Sequence, residues 1–374
     1  MLKLSESIKH NKWTVLVFAI LINLGLAELL FYFVYPQPVH AVRYSLWGWE
    51  HIPNIRYKFV PTSKEVVSYI EYNSDGFRGS DEYSLPVAEG TLRLAVLGDS
   101  EAEGVVDYPY MYATVLEKLL NEHTVLSDKH AYTRAEVLKA GVYGYEPCQI
   151  LRLFEARVMR YRPNIVYLLH NQKFAGDDFC RLINEELVYE DLQYNDLEYY
   201  SRWIMGYVKA KSQLLNSMYR FYRHYLSGGT HLPDKLYQNM FFYDAPIPEI
   251  LTWKGSRNEE SLLPYTKKND DYNESNTELD RYLLTRLVYK KLYQQIQSYG
   301  GKLRVVIVGG DSDRSELLKE IMEKESIPYF DMKRYMSDMK VSLTRFPING
   351  HWNEYGNYLA GTALFEIVTE LDAQ

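Results

Sequence analysis

Cysteine is almost missing: Cys148 and Cys180 are the two in a chain of 374 residues. Two cysteines make no disulfide framework, so an ordinary apolar core has to hold the fold. They read as unpaired, half-buried thiols, and only an oxidising compartment opens a bridge to them. Positive charge is in deficit too. Forty-two Lys and Arg against 49 Asp and Glu give a formal charge of −7, without a basic stripe, which excludes a nucleic-acid partner. The nine histidines are scattered, with neither His-Glu-x-x-His nor Cys-x-x-Cys spacing, so no metal site is legible. No P-loop occurs, and Gly141-x-x-Gly144 is too short for a dinucleotide fingerprint. The expectation is therefore no cofactor and no metal. Tandem repeats are lacking as well.

What is present begins with a long apolar run. From Trp13 to Tyr35 the strongly polar interruptions are Asn23 and Glu28, and the run matches about 30 Å of hydrocarbon as a helix. Lys3, Lys9 and Lys12 precede it, and no Lys or Arg follows before Arg43. Positive flanks stay cytoplasmic, so residues 1–12 read as a cytoplasmic tail and 13–35 as a single membrane span with an outward-facing domain. Val39-His40-Ala41 faintly resembles a signal-peptidase site, but the run is too long for a signal-peptide core, which favours a retained anchor. Glu28 either meets another membrane helix or snorkels to the near interface.

Residues 36–90 are aromatic and proline-rich without sustained periodicity, and read as a juxtamembrane arm with a turn at Asp75-Gly76. From residue 91 strands alternate with helices. Strands are expected at Leu92–Leu97, Ala135–Ala140, Asn164–His170 and Leu303–Val308, with a short one at Pro328–Asp331. Helices are expected at Tyr110–Asn121, Pro147–Tyr161, Leu279–Tyr299, Ser315–Glu325 and Asn353–Leu371. That alternation predicts an α/β domain over 91–374 with a parallel sheet covered on both faces. Residues 176–280 interrupt it as a tyrosine-rich, mostly helical insertion. Its amphipathic stretch Tyr199–Tyr225 reads first as a helix packed on its own domain, with a membrane surface or an active-site cover as alternatives.

Chemistry concentrates where the first strand stops at Gly98-Asp99-Ser100, because open α/β sheets present reactive groups at that edge. A serine hydroxyl needs a neighbouring base to become a nucleophile, and histidine titrates in the right range. His351, just before the last helix, is the candidate base. Gly144, at the end of the second strand, allows close backbone approach to a ligand. Gly310-Asp311-Ser312 repeats the tripeptide, but Ser312 reads as a cap of the following helix, and sheet position favours Ser100.

The runs Val96-Leu97-Gly98-Asp99-Ser100, Ala140-Gly141-Val142-Tyr143-Gly144-Tyr145 and Gly350-His351-Trp352-Asn353-Glu354-Tyr355-Gly356 resemble the SGNH/GDSL hydrolase superfamily. The likeness covers 91–170 and 303–370, together with the Asn73–Arg78 segment common in membrane-anchored relatives. It implies a flavodoxin-like three-layer α/β/α domain that acts as an esterase, lipase, or O-acyl esterase or transferase on glycans. Ser100 would be the nucleophile, His351 the base, and the backbone N–H groups of Ser100 and Gly144 two donors of the oxyanion hole.

Two positions depart from the pattern. The family places an asparagine after the third strand to complete the oxyanion hole; here Lys173 falls at that position and Asn171 lies two residues earlier. Asn171 by a loop shift is favoured slightly, with Lys173 as a cationic donor or an unfilled position as alternatives. Relatives also carry Asp-x-His, where this chain has Asn349. Asparagine accepts a hydrogen bond from imidazole but cannot stabilise imidazolium by charge, and in a serine-protease triad that exchange costs roughly 10⁴ in turnover, about 5.5 kcal/mol. The resulting expectation is a membrane-anchored serine esterase or O-acyltransferase on an acylated envelope glycan or lipid. The competing one is a catalytically impaired domain that binds glycan or assists envelope assembly.

Overall fold

The computed structural model describes residues 12–34, 36, 39–61, 63–122, 132–171, 173–176, 179–183, 186–192, 196–225, 274–308, 313–336 and 341–372. Helix α1 (Lys12–Phe33) carries the apolar run and has no buried residue. Two antiparallel hairpins follow in the arm, β1 (Val42–Ser45) with β2 (Gly48–His51) and β3 (Ile55–Phe59) with β4 (Ser68–Tyr72). β3 and β4 alternate buried and exposed side chains, as half-buried strands do. Their inner faces join Val39, Ala41 and Ile52 in a small core of their own.

The α/β pattern then starts with β5 (Thr91–Gly98), α2 (Ser100–Glu103), α3 (Tyr112–Glu122), β6 (Arg134–Gly141), α4 (Pro147–Leu153) and β7 (Ile165–His170). A hairpin of β8 (Cys180–Ile183) and β9 (Glu186–Tyr189), helices α5 (Asp196–Lys211) and α6 (Gln213–Tyr225), and long α7 (Glu274–Ser298) come next. The chain closes with β10 (Lys302–Ile307), α8 (Asp313–Lys324), β11 (Tyr329–Asp331), short α9 (Lys333–Met336) and α10 (Val341–Thr344), and α11 (Glu354–Asp372).

Five strands form one parallel sheet in the order β11-β10-β7-β5-β6. Counted along the chain within the sheet this is 2-1-3-4-5, the flavodoxin-like doubly wound order. β5 lies between β6 and β7, and every one of its residues is buried. Burial on both faces explains why it reads as one continuous apolar run. Ala95 and Leu97 pack toward α4 and α7, where Leu151, Val288 and Leu292 lie. Leu94 and Val96 pack toward α3 and α11, where Leu116, Leu364 and Ile367 lie. The three-layer α/β/α expectation is met.

Several expectations need correction. The helix expected over Pro147–Tyr161 is α-helical only to Leu153; a π turn at Phe154–Val158 and a 3₁₀ turn at Met159–Tyr161 complete it. The segment after residue 176 is not helical at its start, since β8 and β9 pair there. Tyr199–Tyr225 is two helices, broken at Ser212. Cys148 and Cys180 are not free thiols: they are bonded to each other and tie α4 to β8. The sequence offered no signal for this, because their pairing depends on β8 reaching back to α4. Residues 1–11, the 226–273 part of the insertion, and Gly310-Asp311-Ser312 lie outside the described residues.

Candidate active site

The switch point of the sheet falls between β5 and β7, and ligands of open α/β sheets bind beyond the strand ends there. β5 ends at Gly98, which pairs across to Gly141 on β6 and Leu169 on β7. Gly98 has φ +149°, and a Cβ there would stand 2.6 Å from the Leu169 carbonyl. A Cβ on Gly141 would stand 2.2 Å from both Ala102 C and Glu103 N. These two glycines let α2 turn back directly over the strand ends. Asp99 caps α2 by accepting the Glu101 N–H at 3.0 Å, and Ser100 follows it, half-buried, as the first residue of the helix.

Gly144, the second expected oxyanion donor, sits in the Val142–Tyr145 turn with φ +77°. Glu103 ties this turn to α2, because its carboxylate accepts the Tyr143 N–H at 2.6 Å. The same carboxylate accepts the Tyr72 hydroxyl at 2.6 Å and faces His51 Nε2 at 3.3 Å. Burial by itself would raise the Glu103 pKa; the charges of His51 and His40 and the Tyr72 hydrogen bond outweigh it and hold the group at about 2.

The expected base and its expected partner are in contact. His351 Nδ1 lies 2.6 Å from Asn349 Oδ1. Their loop is fixed from three sides. Glu65 of the arm accepts the Ile348 and Asn349 N–H groups, at 2.9 and 2.6 Å to its nearer oxygens. Asn353 caps α11 through the Gly356 N–H at 2.9 Å. Arg345 donates to the Gly350 carbonyl at 2.5 Å and also to the Glu101 carboxylate. Arg345 therefore joins the residue after Ser100 to the residue before His351.

At the position expected to complete the oxyanion hole, Lys173 Nζ lies 3.4 Å from Asp99 Oδ2, beside the Ser100 turn. Asn171 follows directly on β7, half-buried at the same sheet edge. His170, one residue earlier, is buried and hydrogen-bonded through Nδ1 to the Tyr289 hydroxyl; burial first and the Lys173 charge second push its pKa down to about 3. It stays neutral in the physiological range.

The arm, which carried no chemistry as a sequence, adds a wall to the site. His40 stacks on Tyr143 at a centroid distance of 4.3 Å and lies within electrostatic range of Glu103, His51 and His351. Burial lowers its pKa, against the opposing charge of Glu103. Reading the sequence missed Glu65, Glu101, Glu103 and Arg345 as well as His40. Only the Asx-x-His spacing hinted that the histidine loop would be held by a network. Among the described residues no group of His, Cys, Asp and Glu has the makings of a metal site.

A Gly-Asp-Ser turn at the switch point of a 2-1-3-4-5 parallel sheet is the architecture that the SGNH resemblance implies. The sequence matches no protein-family model and no curated protein. Among solved structures, a two-domain esterase active on acetylated mannans superposes with a TM-score of 0.38 at 9% identity, over 76% of this chain and 50% of that one. This chain thus spans half of that esterase. An acetylxylan esterase from Geobacillus stearothermophilus gives 0.36 at 12% identity, over 75% and 94%. A "lipolytic protein of G-D-S-L family" from Desulfitobacterium hafniense gives 0.35 at 9%, over 74% and 99%.

Proposed function

We propose that the chain is a membrane-anchored serine ester hydrolase of the SGNH type, acting on an acylated glycan or lipid of the cell envelope. The observation that carries this reading is the pair of clamps on the site. Arg345 links the Ser100 turn to the His351 loop, and Glu103 links the same turn to Gly144. A nucleophile and an oxyanion donor beyond two strand ends, with a base on the loop before the last helix, need such fastening to work together.

In the proposed reaction Ser100 Oγ attacks the ester carbonyl carbon while its proton passes to His351 Nε2. Nδ1–H is left to donate a hydrogen bond to the Asn349 amide oxygen, which holds the ring. The backbone N–H groups of Ser100 and Gly144, with Asn171, receive the oxyanion. Collapse expels the alcohol, which takes the proton from His351, and leaves an acyl-serine. Water releases the acyl group in an esterase; a sugar hydroxyl accepts it in a transferase. No cofactor takes part.

For topology we propose a cytoplasmic tail (1–12), a span (13–35), an arm (36–90) and an outward catalytic domain (91–374) with its insertion at 176–280. The Cys148–Cys180 bridge supports an oxidising location for that domain. The neutral Asn349 favours a second reading, a slow or silent site that binds glycan without turning it over.

The test is fluorophosphonate labelling of the full chain in detergent, followed by peptide mapping and p-nitrophenyl acetate hydrolysis. Label is expected on Ser100, with labelling and hydrolysis both lost in Ser100→Ala while near-UV circular dichroism stays unchanged. A wild-type chain that neither labels nor turns over refutes the enzyme in favour of the binding reading; label on Ser312 refutes the assignment of the nucleophile.

A further inference from the structure

We propose that α5 and α6 form a platform lying in the outer leaflet of the membrane that α1 spans, with the bilayer as the occupant of their exposed apolar face. The inference rests on reading α1 as a span.

The starting point is Glu28, the one residue between Trp13 and Tyr35 that carries a charge at neutral pH. A carboxylate there is costly unless it is bonded. Its oxygens accept the Ser212 hydroxyl at 2.6 Å, the Gln213 N–H at 2.7 Å and the Leu214 N–H at 3.0 Å. Those N–H groups open α6, where donors are otherwise orphaned and negative charge is favoured. Ser212 Oγ takes the next one, from Leu215, at 3.1 Å. Glu28 therefore meets the start of a second helix, α6, which the proposal places in the membrane.

Depth follows from position. Glu28 precedes the last residue of α1 by five positions, about 8 Å of helix. The end of α1 meets the arm directly, because Lys58 Nζ donates to the Tyr32 carbonyl at 2.9 Å. With the arm seated on the end of the span, the start of α6 lies about a turn and a half inside it, at the level of the leaflet.

The side chains on α6 are inverted for a helix in water. Gln213 and Asn216 are inward and only 3% and 2% exposed, whereas Leu215, Met218 and Tyr222 point outward, Met218 at 56%. α5 shares the exposed apolar side, with small residues inward. Gly206 and Ala210 face the arm, and a Cβ on Gly206 would stand 2.4 Å from the Val42 carbonyl. Leu197, Tyr200, Ile204 and Tyr207, spaced three and four apart, are exposed, Leu197 at 81%. A continuous apolar face of this kind marks an interaction surface, and its Tyr and Trp content suits the lipid–water interface. Its junction with a span, through part-buried polar contacts, selects lipid over a soluble partner.

The experiment is nitroxide accessibility on the full chain reconstituted in vesicles of three parts phosphatidylcholine to one part phosphatidylglycerol. Single cysteines replace Leu21 in the span, Met218 and Leu197 on the platform, and Lys118 on α3; the two native cysteines are held in their disulfide. Leu21→Cys, Met218→Cys and Leu197→Cys are expected to collide preferentially with oxygen, and Lys118→Cys with a water-soluble nickel chelate. Lipid contact at Leu21 with water contact at either platform site refutes the platform and leaves the anchor standing. Water contact at Leu21 removes the anchor and the platform with it. Platform labels shielded from both agents mean that protein covers the face, which also overturns the inference.

Discussion

Replacing Glu103 with glutamine is the sharpest probe of the network behind Ser100. The carboxylate is buried and held at about pKa 2, against 4.5 for the group in an unfolded chain. At 1.36 kcal/mol per pKa unit, that difference stabilises the folded state by about 3 kcal/mol at pH 7. The folded pKa is depressed, so the stabilisation is complete above about pH 4.5 and disappears as pH falls through about 2. Linkage leaves about 1 kcal/mol of it at pH 3. The amide in Glu103→Gln keeps an acceptor for one of the two donors, Tyr72 or Tyr143, but loses the charge that His51 and His40 face. The urea midpoints of wild type and Glu103→Gln, read by near-UV circular dichroism from pH 7 to pH 3, are therefore expected to converge as the pH drops. A gap that stays constant over that range would refute the electrostatic account and reduce Glu103 to a packing residue.

Two further outcomes concern the histidine loop. Asn349→Asp places a charge on His351 Nδ1, now 2.6 Å from a neutral oxygen, and kcat on p-nitrophenyl acetate is expected to rise at least about tenfold; an unchanged or lower kcat means that something else orients the ring. Arg345→Met leaves the buried Glu101 carboxylate without its partner and is expected to cost about 3 kcal/mol of stability. A cycle with Glu101→Gln should recover much of that loss, whereas purely additive urea midpoints would contradict the clamp.

The parallel strands were legible because burial on both faces leaves runs such as Leu94–Leu97 with no polar alternation to confuse them. β8 and β9 were not, since four residues each, with Arg181 and Glu186 among them, carry too little pattern to separate a hairpin from a helix turn. Within the site, Ser100, Gly144 and His351 announce themselves by local motif. Their supports do not: Arg345 and Glu101 are 244 positions apart, and Glu65 and Asn349 are 284. Sequence pattern records which residues a local turn needs. It carries no trace of which distant carboxylate will hold that turn once the sheet is assembled.

The Cys148–Cys180 bridge has a consequence for how the protein matures. It closes a loop of sequence separation 32 that contains β7, Asn171 and Lys173, so the third strand and the residues beside the oxyanion position are enclosed by one covalent ring. In a chain-entropy treatment a ring of that size restricts the unfolded state by about 4 kcal/mol. Thiols stay reduced in the cytosol, so under the proposed outward topology that contribution arrives only after translocation. In that topology the newly made chain carries the sheet edge without its covalent ring, and the outer compartment would supply the last stabilising step.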